Sequence, residues 1–127
     1  MPAEFQKPPT DADLILVTHG HFDHSSSAPA ILAASTKPDC KIVTIYEIGQ
    51  YYQTKCQVDP SRIQFMNKSG TKDFGWCRVT MVGADHSSSC GVHDGHIWDG
   101  GAPAGFVIRA GDYSLYHAGD TGVFLDM

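Results

Sequence analysis

This sequence predicts an α/β domain, and three observations lead to that expectation. The first half alternates short apolar runs with segments of helical character: Leu14–Val17, Ser25–Ala34, Cys40–Tyr46 and Glu47–Lys55. The second half carries strand-like runs with no helix between them, at Ile63–Met66, Trp76–Val82, Gly105–Ala110 and Tyr113–His117. Residue types that bind metals follow three of these runs closely, so three strand ends are expected to converge on one edge of a layered domain.

Taken in order, residues Met1–Thr10 include Pro2, Pro8 and Pro9 and show no period, which predicts an irregular lead-in. Leu14–Val17 is apolar, rich in branched side chains and too short for a helix, so it reads as a buried strand. Ser25–Ala34 carries small residues with Ile31 and Leu32, and reads as a helix with a serine as N-cap and its positive end toward the preceding loop. Cys40–Tyr46 is rich in Ile and Val and predicts a second strand, and Glu47–Lys55 a short helix that stops before Pro60. This strand–helix rhythm predicts buried strands covered by helices. In the second half antiparallel pairing is expected, with a hairpin turn at Ala110-Gly111-Asp112. The polar stretch Ala84–Pro103, with Gly91, Gly95, Gly100 and Gly101, reads as a long functional or mobile loop. There is no internal repeat and no linker, so residues 1–127 read as a single domain.

Composition bounds the function. With 127 residues, 42% hydrophobic and 18% charged, the chain has the apolar content of one folded domain. A formal charge of −5 gives no bulk attraction to nucleic acid or to an anionic membrane, although bound divalent cations would reverse the sign locally. Cys40, Cys56, Cys77 and Cys90 form no CxxC pair and read as reduced thiols. Cys90 lies four residues after His86 but reads as a buried free thiol rather than a ligand. No apolar stretch approaches the roughly 18 residues of a membrane span, and no charged n-region precedes an apolar segment, so a cytoplasmic protein is expected.

The stretch Thr18–His24, THGHFDH, is the part around which the rest is arranged. It puts three histidines and an aspartate in the loop leaving a buried strand, mixing imidazole nitrogen with carboxylate oxygen as borderline divalent metals prefer. If the backbone stays extended, His19 and His21 point to the same side, and Gly20 lets the chain pass close to an ion. Phe22 can be buried as an anchor, after which Asp23 and His24 need a turn to reach a second nearby centre. A tag or a polar surface turn fits less well, because the segment is internal and follows a strand. Asp85-His86 and Gly119-Asp120-Thr121-Gly122 lie past the strands ending at Val82 and near His117.

THGHFDH, His86 in ADHSSS, and YHAGDTG together resemble successive motifs of the metallo-β-lactamase superfamily. GAPAGFVIRAGDYSLYHAGDTGVFLDM is similar to its branch of metal-dependent hydrolases with largely unassigned substrates, and the resemblance runs from about Asp13 to Met127. It implies a partial αββα sandwich, with a first ion on His19, His21 and His86 and a second on Asp23, His24 and Asp120. Asp120 would bridge the two and Asp23 would hold or orient the water between them, making these the catalytic carboxylates. Two divalent ions would share a hydroxide and polarise the scissile oxygen. Zinc is the first choice from ligand type, with manganese or iron compatible with the oxygen ligands.

The implied function is hydrolysis of an ester, lactone, amide or phosphodiester in a small-molecule substrate by a metal-bound hydroxide. The acidic balance disfavours nucleic acid as that substrate. Two departures bear on it. Only about a dozen residues precede the histidine motif, where the family's first strands belong, and no histidine follows Asp120 to complete the second site. The domain is therefore expected to be incomplete, and to associate as a homo-oligomer or with the missing part of the fold. The alternatives are a catalytically incomplete metal-binding module or fragment, and a protein that uses only the three-histidine site.

The remaining polar residues have plainer readings. His93 and His96 read as solvated loop residues bordering substrate, and His117 as a core residue or a partner that orients a ligand. Thr18, Ser25 and Thr121 flank ligands and can orient them by hydrogen bonds. Trp76 and Trp98 read as packing residues, with Trp98 also able to form a pocket wall.

Overall fold

A computed structural model describes residues 7–127, so most of the expected irregular lead-in lies outside the described residues. The chain opens with β1 (Leu14–Leu16), a short helical turn α1 (Phe22–Ser25), α2 (Ala28–Ala34), β2 (Lys41–Ile45), α3 (Tyr46–Lys55) and β3 (Ile63–Met66). The three strands form a parallel sheet in the order β1-β2-β3. Ile42, Val43, Thr44 and Ile45 are all buried, as a central strand covered on both faces requires. No helix among the described residues is long and apolar enough to cross a membrane.

The helix expected over Ser25–Ala34 forms from Ala28, and a separate helical turn, α1, precedes it and ends at Ser25, for a local reason. A serine, Ser27, does stand at the N-cap of α2, but its side chain makes no cap bond there. The Ser25 hydroxyl instead donates to the carbonyl of Gly20 at 2.8 Å. Pro29 has no N–H to return to the Ser25 carbonyl. The Tyr52 hydroxyl of α3 donates to that carbonyl instead, at 2.6 Å, which fastens the break to the core.

The second sheet contains β4 (Thr71–Asp73), β5 (Arg78–Gly83), β8 (Ala104–Ala110) and β9 (Tyr113–His117), antiparallel in the order β4-β5-β8-β9. Alternation sends Val79 and Met81 of β5, and Ala104 and Phe106 of β8, into the same core as Ile42, Ile48 and Tyr52. Gly49 on α3 permits close helix–sheet approach: a Cβ there would overlap the Phe65 ring of β3. β9 is an edge strand on which Tyr113, Leu115 and Tyr116 are exposed.

Ala84–Pro103 is not a structureless loop. It contains a hairpin of β6 (Ser89–His93) and β7 (His96–Asp99), turning at Asp94 and Gly95, both with positive φ (55° and 79°). An Asp-Gly pair between strands is the chemistry of a type I′ turn, and that signal is present in VHDGHIW. Trp98 of β7 stacks edge-on with Tyr51 of α3 at 5.6 Å, which docks the hairpin on the helix. Trp76 is not a packing residue. It precedes β5 and is 60% exposed.

Candidate metal centre

Three loops meet at the ends of β1, β5 and β9, and main-chain hydrogen bonds lace them together. The Val17 N–H donates to the Val43 carbonyl at 3.0 Å, so the strand geometry of β1 continues to the edge of the histidine loop. The Thr18 carbonyl then accepts from the Ala104 N–H at 2.9 Å, which ties this loop to the start of β8. Between β5 and β6, Ser88 is buried; its hydroxyl accepts from the Gly20 N–H at 2.8 Å and donates to the Gly100 carbonyl at 3.3 Å. Past β9, the Thr121 hydroxyl accepts from the Asp85 N–H, and the Gly122 N–H donates to the Asp85 carbonyl, each at 2.8 Å. Gly20 fits because it has no side chain: a Cβ would stand 2.9 Å from the Cys90 thiol and from the Ser89 carbonyl.

This lacing gathers the imidazoles. Ring centroids lie 4.7 Å apart for His19 and His21, 4.3 Å for His19 and His24, and 5.1 Å for His19 and His86. Two sets of atoms are close enough together to hold an ion: His19, His21 and His86, and His19, His24 and Asp120. One carboxylate oxygen, Asp120 Oδ2, stands 3.1 Å from His24 Nε2, 3.8 Å from His19 Nε2 and 3.9 Å from His86 Nε2. Asp23 belongs to neither set. Its Oδ2 is 3.5 Å from His24 Nε2, and its side chain is largely exposed on the first turn of α1.

His19 is the centre of the arrangement, fully buried, with its Nδ1 2.9 Å from the Thr18 hydroxyl. With that hydroxyl as acceptor, the proton sits on Nδ1 and the lone pair on Nε2. Nε2 is buried and has no hydrogen-bond partner. Burial, with the neighbouring His24 and His21 adding to it, lowers the His19 pKa to about 4, against an opposing pull from Asp120. Its lone pair is thus free at neutral pH. A buried imidazole nitrogen with no partner, facing other imidazoles and a carboxylate, fits a divalent cation and little else.

A family model described as a beta-lactamase superfamily domain matches residues 1–127. The chain belongs to that superfamily. Among curated relatives of this superfamily domain, a metal-dependent hydrolase of Methanosarcina mazei is 45% identical over 115 residues, covering 91% of this chain and 46% of that protein. A second, from Methanopyrus kandleri, is 42% identical over 117 residues, covering 92% and 48%. The chain spans about half the length of the curated relatives it matches. Among solved structures, a metallo hydrolase of Ignicoccus hospitalis is 28% identical with a TM-score of 0.69, over 91% of this chain and 45% of that one. A metallo-beta-lactamase fold protein of Bacillus subtilis shares the fold at 13% identity and a TM-score of 0.60, over 88% and 42%.

Other residues of the superfamily domain take supporting places. The Ser87 hydroxyl is 3.2 Å from His21 Nε2, and Ser88 clamps Gly20 as described; neither was singled out by sequence reasoning. The triple serine after His86 was the available signal. Phe22 is not an anchor, being 83% exposed. Cys90 is buried beside Gly20 and outside both candidate sets, and burial, with Cys56 and Asp99 nearby, pushes its thiol up to about 11. His117 is exposed and its Nδ1 accepts from the Gly119 N–H at 3.2 Å, so it shapes the turn that presents Asp120. His93 is bonded through Nε2 to the Cys90 carbonyl at 2.9 Å, and His96 is exposed at the hairpin.

Proposed function

We propose that this chain carries the metal centre of a hydrolase acting on a small-molecule ester, lactone, amide or phosphodiester. The partnerless, buried His19 Nε2 carries this reading, because it stands among the other imidazoles and Asp120 with its lone pair available. The relatives named as metal-dependent hydrolases support it. In this reading His19, His21 and His86 hold one divalent ion, with zinc the first choice and manganese or iron compatible. His24 and Asp120 hold a second, and Asp23 completes that side. Ions so held supply Lewis acidity and lower the pKa of water toward neutrality.

The chain's own groups do the rest. Asp120 Oδ2 lies within 4 Å of three imidazole nitrogens, where a carboxylate offsets the charge gathered at the centre and can face both ion positions. Asp23, exposed and 3.5 Å from His24 Nε2, would in this reading accept a hydrogen bond from an attacking water and orient it. Ser87 donates to His21 Nε2 or accepts from it at 3.2 Å, which helps hold the orientation of that ring.

The test is metal content per chain on zinc-replete protein, with turnover of 4-nitrophenyl acetate, a γ-lactone and bis(4-nitrophenyl) phosphate. Two equivalents for the wild type, one for Asp120→Ala and none for His19→Ala, with zinc-dependent turnover of at least one probe, are expected. One equivalent that Asp120→Ala leaves unchanged would replace the paired centre with a three-histidine site. A second reading, a metal-binding module that is not itself catalytic, is favoured by the chain's spanning only 46% of its relative. Bound metal without turnover of any probe would select it.

A further inference from the structure

A cavity of about 410 Å³ opens beside the metal centre, between α1, α3 and β6, within the roughly 300–1,000 Å³ range of small-molecule sites. His21 belongs both to its wall and to the three-histidine set, so the cavity adjoins that set. Phe22, Pro29, Tyr51, Cys56 and Cys90 give it apolar and aromatic walls, and the polar side chains there besides His21 and Tyr52 are the neutral serines Ser25, Ser26 and Ser89. No lysine, arginine, aspartate or glutamate lines it. Burial raises both the Cys56 and the Cys90 thiols, so these walls are uncharged at neutral pH. Tyr52, also in the wall, has its hydroxyl committed to the Ser25 carbonyl. A charged group entering here would lose hydration and meet no counter-charge. Phe22, for which packing gives no explanation at 83% exposure, lines the cavity next to His21 in sequence and adds an exposed apolar surface to it.

We infer that this cavity receives an uncharged apolar segment of the substrate, an alkyl chain or an aromatic ring, while the bond to be cleaved lies on the His21 side. The inference rests on the hydrolase reading above and narrows it to neutral carboxylic esters or lactones bearing an apolar group. In that reaction one water adds across the acyl C–O bond; the acyl carbon keeps the hydroxyl and the departing alcohol oxygen takes the proton. Tyr51 and Phe22 then select substrate by contact rather than by charge.

Two measurements test it. The first titrates n-hexanol and hexanoate into ¹⁵N-labelled protein and follows the amides of Gly20, Ser26, Ser89 and Gly91, which line the cavity. Hexanol is expected to shift them saturably and hexanoate at least about tenfold more weakly, since burying an uncompensated carboxylate is strongly disfavoured. The second compares zinc-replete kcat/KM for 4-nitrophenyl acetate, hexanoate and mono-succinate. Four further methylenes are expected to raise kcat/KM by about tenfold or more, and the succinate to fall below the hexanoate. Ser26→Trp, which places a ring at the cavity wall, is expected to collapse the hexanoate-to-acetate ratio.

Hexanol that leaves the lining amides unmoved, or hexanoate that binds equally well, overturns the inference whatever the enzyme turns over. Hexanol binding without zinc-dependent turnover of any ester, lactone or phosphodiester probe sinks the hydrolase reading while the cavity's preference stands. Turnover with no chain-length preference overturns the cavity's role in substrate selection alone. The wild-type titration decides the binding question even if Ser26→Trp does not fold.

Discussion

Replacing Ser88 with alanine should loosen the metal centre from a distance. Ser88 Oγ accepts from the Gly20 N–H at 2.8 Å and donates to the Gly100 carbonyl at 3.3 Å, inside the core of three converging loops. Gly20 lies between His19 and His21, and Ser88 lies two residues beyond His86, so this hydroxyl fixes the spacing of the three-histidine set. Ser88→Ala leaves a buried N–H without a partner, which costs about 1–3 kcal/mol; the longer bond to Gly100 adds a few tenths. Groups that orient metal ligands are typically worth about 10–100-fold in affinity, and a drop in zinc affinity of that size is expected. Urea unfolding of metal-free protein measures the first effect, and zinc competition against a chromophoric chelator the second. A variant destabilised by about 2 kcal/mol that binds zinc within twofold of wild type would refute the clamp, because stability and ligand spacing would then be separable.

Other consequences follow from the same geometry. Tyr52→Phe removes the hydroxyl that donates to the buried Ser25 carbonyl and is expected to cost about 1–2 kcal/mol in urea unfolding; an unchanged midpoint would mean that Pro29 and α1 need no such support. Gly49→Ala gains about 1 kcal/mol in helix propensity but drives a methyl into the Phe65 ring, so a net loss of about 1–2 kcal/mol is expected, reversing to a gain when Phe65→Ala is also present. The metal-free protein should lose stability as pH falls from about 6.5 toward 4, because unfolded His19 takes a proton that the buried ring refuses until about pH 4. Thermal melts across that window should show a shallower fall for His19→Gln. An equal slope would assign the acid sensitivity to other groups.

The parallel half of the fold was legible in the sequence because its strands are buried on both faces and announce themselves as apolar runs; Ile42–Ile45 is the clearest. The candidate ligands His19, His21 and His24 were legible too, since THGHFDH puts three histidines and an aspartate in one loop. The hairpin Ser89–His93 with His96–Asp99 was hidden, because its strands are polar and half exposed, and only the Asp94-Gly95 pair marks it. β4 was hidden for a similar reason: Thr71–Asp73 is three exposed residues that exist as a strand by pairing with β5.

What spacing along the chain could not decide was how the loops meet. Residues 19, 86 and 120 are brought within ion-binding distance by two sheets packing on one core, by Ser88 reaching back 68 residues to Gly20, and by Thr121 reaching Asp85. Tertiary packing also made His19 the hub, by burying its ring until Nε2 had no partner of its own, and left Asp23 at the open edge. A sequence specifies which donor atoms a centre can draw on, whereas their separation and desolvation belong to the packed structure, because both depend on which strand ends share an edge.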